Sequence, residues 1–369
     1  MSRVAFVGYS YGVDPRLIGG HQSILRRLAR YLTGRGYAVD FLVFGEPAAP
    51  PQRLAADTTL YTFPTFATAA QRLQHERYAY VQLSYLPLAT YPAAMRYLAS
   101  QRNRSDRPRL GYLYVVWPDK VVMRLARILL FKLFYDRVIA VSPRLQRQLN
   151  RYRVPSFTLL PPVPDDFFEP VARVAGPPRV AGPPRVAYMG RVDDDKGVQH
   201  ILALLRGLKA AHPDLAAEIS GYYYPHSAAS LALHRELQAQ DVIHYSGGSY
   251  HDYDPAMEQR VLNQLRHTDL LLLPYERLSG ITVDVPLLLL EAMATGCTVL
   301  TTQVADLPEI VAQPALTVPH PAAMQAAAEA LIAQRGWGAT GERLQARAQE
   351  LGVALSVAGP RYEREVGLA

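Results

Sequence analysis

"RVAYMGRVDDDKGVQHILALLRGLKAA", residues 185–211, decides the fold. Its first six residues read as a buried strand. Residues 196–211 read as a helix, with Val198, Ile201, Leu202, Leu205 and Leu208 recurring at helical spacing. A strand that turns directly into a helix is half of a βαβ unit, the building block of a parallel sheet. The turn carries Arg191 just past the strand and Lys196 at the start of the helix, with Asp193, Asp194 and Asp195 between them. The macrodipole disfavours a lysine at that end of a helix, unless an anion joins it. Two cations and free helix N–H groups neutralise a diphosphate without a metal. The competing reading pairs Arg191 with the aspartates and leaves Lys196 in solvent.

Working outward, the alternation continues. Strand patterns at 216–221, 242–247, 269–274 and 298–302 are separated by helical patterns near 227–239 and 256–266 and at 286–296, the last closed by Gly296, with "LPEIV" at 307–311. On the other side, strands at 4–8, 38–44, 78–84, 109–116, 137–142 and 156–161 alternate with helices at 21–32, near 91–101, near 120–134 and at 144–152. Between the halves, "VAGPPRVAGPPR" (174–185) writes a six-residue unit twice. Paired prolines favour extended polyproline geometry, so this stretch reads as an interdomain linker. The fold class predicted is α/β, with two Rossmann-like domains facing across a cleft. Residues 1–173 form the first domain, 174–185 the linker and 186–339 the second, and a helical segment at 340–369 crosses back to the first. Ligands bind such sheets at the carboxyl ends of the strands.

Composition narrows the function. The 369 residues are 49% apolar and 19% charged, as in a globular protein. Cys297 is the single cysteine, which excludes a disulfide framework and a cysteine-based zinc site and favours a reducing compartment. The N-terminus runs straight into a strand with no signal pattern, and no apolar run reaches the roughly 18 residues needed to cross a bilayer. A cytoplasmic protein is expected, with contact at the inner face of the cell membrane as an option. Residues 1–170 hold 23 Lys and Arg against 11 Asp and Glu, whereas the rest holds 16 against 21. A basic half meets anionic partners, or it is only a solvated basic surface. On the helix within 121–137, Arg124, Arg127 and Lys132 fall in an arc of about 140°. Such a helix lies on an anionic bilayer or packs its broad apolar face into the domain.

The stretch 274–296, "PYERLSGITVDVPLLLLEAMATG", runs from a strand end through a loop into a helix bearing Glu291. A carboxylate in so apolar a segment must be paired or hydrogen-bonded. Vicinal ribose hydroxyls suit it, because a carboxylate accepts from both. Ser279, Gly280, Ile281 and Thr282 offer backbone N–H groups to a phosphate or sugar.

Taken in order, "GRVDDDKGV" and "PLLLLEAMATGCTVLTT…LPEIV" resemble the donor half of a GT-B retaining glycosyltransferase, closest to family 4. The first half resembles that family more loosely, through "VAFVGYSYGVDPRLIGGHQSILRRLARYL", "VIAVSPRLQRQL" and "LLPPVPDDFF". The resemblance implies that Arg191 and Lys196 bind the donor diphosphate and Glu291 the ribose, with Gly19 and Gly20 near the phosphates and acceptor. Transfer of a hexose from a nucleoside-diphosphate sugar, most simply UDP- or GDP-linked, is then expected, with no further cofactor and with no metal, because no aspartate cluster has clear ligand geometry and two cations already neutralise the charge. One departure stands out. The family places a second glutamate eight positions before the one at Glu291, and that position here is Val283. Asp284 either replaces it with a one-residue shift or caps the helix that Pro286 begins.

The first half is then expected to bind the acceptor, a glycan or a lipid-linked sugar. Its candidate residues are His21 after the glycine pair, and Trp117, Asp119 and Lys120 in the loop after a strand. For His21 capping or plain exposure competes, and for Trp117 core packing. Two further readings use the same donor half: a sugar-nucleotide epimerase, and a binding protein without turnover. A dinucleotide-dependent hydride transfer lacks its G-x-G-x-x-G fingerprint. Nucleic acid is not an expected partner, because the basic residues are scattered over several helices.

Overall fold

The computed structural model describes residues 1–102, 104–115, 121–169, 182–193, 196–225, 227–276 and 284–369. Most of the expected linker, 174–181, lies outside them, and its last residue, Arg185, already begins a strand. The chain divides into two units, Met1–Pro162 with Leu355–Ala369, and Val163–Ala354.

The first unit runs β1 (Arg3–Tyr9), α1 (Ser10–Val13), α2 (Gly20–Gly34), β2 (Ala38–Phe44), β3 (Ala49–Ala55), β4 (Thr58–Phe63), α3 (Phe66–His75), β5 (Tyr80–Ser84), α4 (Tyr91–Arg102), β6 (Arg109–Tyr114), α5 (Val121–Phe134), β7 (Arg137–Ala140), α6 (Pro143–Arg151) and β8 (Ser156–Thr158). Its eight strands lie in the order β3-β4-β2-β1-β5-β6-β7-β8. Val4 to Val7 of β1 are fully buried, because helices cover both faces of a parallel sheet. Pairing is parallel except where β3 meets β4. β3, "APPQRLA", is exposed throughout, and its two prolines fall where the edge pairing with β4 shifts register, between Ala49 and Gln52. The strand expected at 137–142 stops at Ala140, because Ser142 turns to cap α6 and accepts from the Leu145 N–H at 3.1 Å.

α5 does not pack as its helical wheel implied. Ile128 and Phe131, inside the basic arc, are the buried residues, and Arg127 points inward and donates to the Tyr91 hydroxyl at 3.0 Å. Phe131 packs between Tyr112 and Tyr114, with centroids 5.0 and 5.2 Å away. These aromatic partners outweigh the leucines and turn the aliphatic side outward.

The second unit runs β9 (Arg185–Arg191), α7 (Val198–Ala211), β10 (Ala216–Tyr223), α8 (Ala228–Ala239), β11 (His244–Ser249), α9 (Met257–His267), β12 (Leu270–Leu273), α10 (Leu287–Ala294), β13 (Thr298–Thr302), α11 (Leu307–Val311), β14 (Thr317–Val318), α12 (Met324–Gln334) and α13 (Trp337–Glu350). Its six strands follow the order β11-β10-β9-β12-β13-β14, all parallel. The stripe predicted on α7 (Val198, Ile201, Leu202, Leu205, Leu208) is buried in the core with Val186, Ile219, Leu270 and Leu272. α13 stays in this unit, where Gly341 lies so close to Gly296 that a Cβ on it would meet the Gly296 carbonyl oxygen at 2.0 Å. Only α14 (Leu355–Glu365) and the four residues after it join the first unit. There the buried Glu363 accepts from the Tyr31 and Tyr37 hydroxyls at 2.7 and 3.1 Å, and the Tyr362 hydroxyl donates to Gln82 at 2.8 Å.

Candidate functional site

In the second unit the chain leaves β9 for β10 on one side and later returns to pair β12 on the other. The carboxyl ends of β9 and β12 therefore flank a topological switch point, where open α/β sheets bind ligands. Arg191 is the last residue of β9. Its guanidinium is mostly buried, with Nε 3.3 Å from Asp193 Oδ2 and Cζ 5.3 Å from the Tyr224 ring centroid. So the aspartate pairing weighed from the sequence exists at Asp193, while Asp194 and Asp195 lie outside the described residues. The Tyr188 hydroxyl donates to the Arg191 carbonyl at 2.8 Å and fixes the strand end.

Lys196 does not begin the helix. Gly197 takes a left-handed φ of +68° as the N-cap of α7, so the first helical residue is Val198. A Cβ on Gly197 would lie 2.6 Å from the Pro274 carbonyl oxygen, which shows how tightly this turn sits on the end of β12. Lys196 Nζ stands 5.4 Å from the ring centroid of Tyr275, within cation–π range.

Tyr275 is the hub that the sequence reading missed. It follows β12 by two residues and is buried. Burial raises its phenol above the usual value. Tyr222 and Glu291 push the same way, and Arg191 opposes them. Arg191, Lys196, Glu291 and Tyr222 therefore all act on one ring beyond β12. An aromatic next to the proline that ends an apolar strand, "LLLLPY", was the available signal.

Glu291 sits in the second turn of α10 and is buried. Asp284 is buried too, but it is not the helix cap. α10 begins at Leu287, and Pro286 is the N-cap, two residues after Asp284. The capping alternative thus falls, because the extended Pro286 (ψ 134°) starts the helix one residue later than expected. The end of α10 is as expected. Gly296 has φ +68°, its N–H bonds Met293 O at 3.1 Å, and the Cys297 N–H bonds Ala292 O at 2.9 Å, a Schellman closure. Glu276 pairs at the surface with His200 Nε2 at 3.0 Å. Ser279, Gly280, Ile281 and Thr282 lie outside the described residues.

In the first unit the switch point lies between β1 and β5. Gly19 is the extended N-cap of α2, and Gly20 is its first residue. His21 follows, with Nε2 3.1 Å from Ser84 Oγ at the end of β5 and its ring edge-on to Tyr85 at 5.1 Å. Its Nδ1 is buried and has no hydrogen-bond partner among the described residues. His21 is thus neither cap nor plain surface residue. Trp117, Asp119 and Lys120 lie outside the described residues.

Burial pushes the His21 imidazole down to about 3. The folded protein therefore refuses a proton that the unfolded chain takes up below its own pKa of about 6.5. This part of the stability is intact above about pH 6.5 and is lost as pH falls toward 3, by at most about 1.4 kcal/mol per pH unit. Urea midpoints at pH 7 and 4.5 are expected to fall further for wild type than for His21→Gln, by about 1–3 kcal/mol in stability. Equal falls contradict a buried neutral imidazole.

Two family models match the chain. One, described as "Glycosyl transferases group 1", covers residues 183–334, and the other, "Glycosyltransferase Family 4", covers residues 18–166. No curated protein matches. Among solved structures, the chain is similar over its whole length to Alr3699/HepE of Anabaena in complex with UDP, at 14% identity, TM-score 0.70 and full coverage of both chains. It is similar to a glycosyltransferase of Rickettsia africae ESF-5 at 12% identity and TM-score 0.68, covering 100% of this chain and 99% of that one. It is also similar to the α,α-trehalose 6-phosphate synthase of Burkholderia multivorans at 14% identity and TM-score 0.64, covering 99% and 98%. At these identities the structures establish the fold.

Proposed function

The chain belongs to family 4 of the glycosyltransferases, enzymes of the GT-B fold that draw on nucleotide-sugar donors, and from that premise we propose that it moves a hexose from a nucleoside-diphosphate sugar to an acceptor hydroxyl with retention at the anomeric carbon. What carries the reading is the placement of Arg191 at the end of β9 and of Lys196 over the Tyr275 ring just beyond β12, two partly buried cations at the switch point, with the buried Glu291 raising the Tyr275 phenol.

The division of labour follows from charge. As the glycosidic bond breaks, negative charge grows on the leaving diphosphate. Arg191 and Lys196 stabilise it more in the transition state than in the ground state, which is what lowers a barrier. With two cations on the diphosphate, the reaction needs no metal. Glu291 accepts from the two ribose hydroxyls and sets the nucleotide's depth. Asp284, buried on the approach to α10, takes the place of the glutamate absent at 283. Ser279, Gly280, Ile281 and Thr282 give backbone N–H groups to the donor. The acceptor hydroxyl attacks from the face the diphosphate leaves, and the leaving phosphate takes its proton. His21, Trp117, Asp119 and Lys120 receive the acceptor, a glycan or a lipid-linked sugar.

Product analysis tests this. With a UDP- or GDP-hexose and a panel of sugar acceptors, NMR of the product is expected to show a new glycosidic bond with the donor's anomeric configuration. An inverted bond overturns retention. Epimerised sugar nucleotide formed without acceptor overturns transfer, and tight nucleotide binding with no product under any pairing leaves a binding protein instead.

A further inference from the structure

We propose that the outward face of α5 docks on the surface of an anionic lipid bilayer. Val121, Val122, Leu125, Leu129 and Leu133 are 59%, 80%, 51%, 58% and 43% exposed. At 3.6 residues per turn they form one stripe along a helix about 20 Å long. A continuous aliphatic stripe of that length is unusual on the free surface of a water-soluble unit and marks a docking face. In the neighbouring elements Leu88, in the turn before α4, and Met95 of α4 are also exposed, at 56% and 45%. Arg127 ties the two helices together through the Tyr91 hydroxyl at 3.0 Å.

Charge identifies the occupant. Apart from the inward-pointing Arg127, α4 and α5 carry Arg96, Arg102, Arg124 and Lys132 and not one acidic residue. An apolar stripe set among cations fits acyl chains beneath anionic headgroups. Lys132 is exposed on the stripe's own side, and a lysine so placed can lay its stem along an apolar surface and reach headgroups with its ammonium. A second copy of this chain fits poorly, because a two-fold contact would set these four cations against their own copies. No helix among the described residues is long and apolar enough to cross a membrane, so α5 lies in the interface plane. The proposal does not depend on the donor site, and its test uses neither nucleotide nor sugar.

The test is flotation of the full chain with vesicles of phosphatidylcholine alone and of phosphatidylcholine with an equal part of phosphatidylglycerol, at about 0.15 M salt. Wild type is expected to float with the anionic vesicles at least tenfold better than with the neutral ones. The double variant Leu125→Glu, Leu129→Glu is expected to lose at least tenfold of that binding, with its thermal midpoint and elution volume unchanged. Leu125→Ser with Leu129→Ser gives the same direction without added charge. The proposal is overturned if wild type stays with the soluble fraction, or binds neutral and anionic vesicles alike. It is equally overturned if the variants float like wild type, or if wild type is a dimer that they disperse and never floats.

Discussion

Lys196→Ala is expected to lower kcat/KM for glycosyl transfer by about 10²–10³-fold, the usual effect of removing one donor from a site where charge develops. Lys196 stands just ahead of the Gly197 cap, against the Tyr275 ring at 5.4 Å. Its partner Arg191 is already committed to Asp193 at 3.3 Å. The lysine therefore carries the more adjustable of the two charges, on a flexible stem with three donors. Lys196→Arg keeps the charge and is expected to recover only part of the loss, because a planar fork does not replace a compact ammonium. Steady-state kinetics with the enzyme's own donor checks this. A loss below about threefold with the fold intact removes Lys196 from the diphosphate.

The second large effect is structural. Gly197→Ala is expected to cost about 2–4 kcal/mol of stability, from the left-handed backbone and from a steric clash together. At φ +68° alanine is strained, and its Cβ would meet the Pro274 carbonyl oxygen at 2.6 Å. That oxygen is backbone at the end of a core strand, so it gives way poorly. The same clash pries the turn bearing Lys196 from the end of β12, so nucleotide affinity is expected to fall along with the urea midpoint. A variant as stable as wild type contradicts the packing of this turn on Pro274.

The sequence was most legible where a local signal and the tertiary environment agreed. "AVDFLVF" and "TVLTT" form strands over the residues read, since buried parallel strands are unbroken apolar runs. Gly296 closes its helix because the left-handed position favours glycine. Reading failed where the deciding partner lies far along the chain. "APPQRLA" has neither alternation nor an apolar run, and it becomes a strand only because β4 offers it a free edge. The wheel of α5 is apolar on most sides, and Tyr91, Tyr112 and Tyr114 from other segments choose which side turns inward.

At the site, the cations and Glu291 were visible as charges in apolar or strand-end contexts. Their meeting point was not, because Tyr275 shows its role only through neighbours 79 and 84 residues before it and 16 after it. The start of α10 was misplaced by one residue at Pro286, enough to separate a cap from a buried carboxylate at Asp284. The start of α7 lies two residues later than the sequence implies, at Val198 after the Gly197 cap.

The central claim is that Arg191 and Lys196 hold a nucleoside diphosphate at the β9–β12 switch point. Calorimetric titration of UDP, GDP, ADP, TDP and CDP into wild type and into Arg191→Ala, without added metal, tests it most directly. One nucleotide is expected to bind wild type at micromolar affinity and the variant at least tenfold more weakly, about 1.4 kcal/mol or more. Binding by none of the five, or equal binding by the variant, would contradict it.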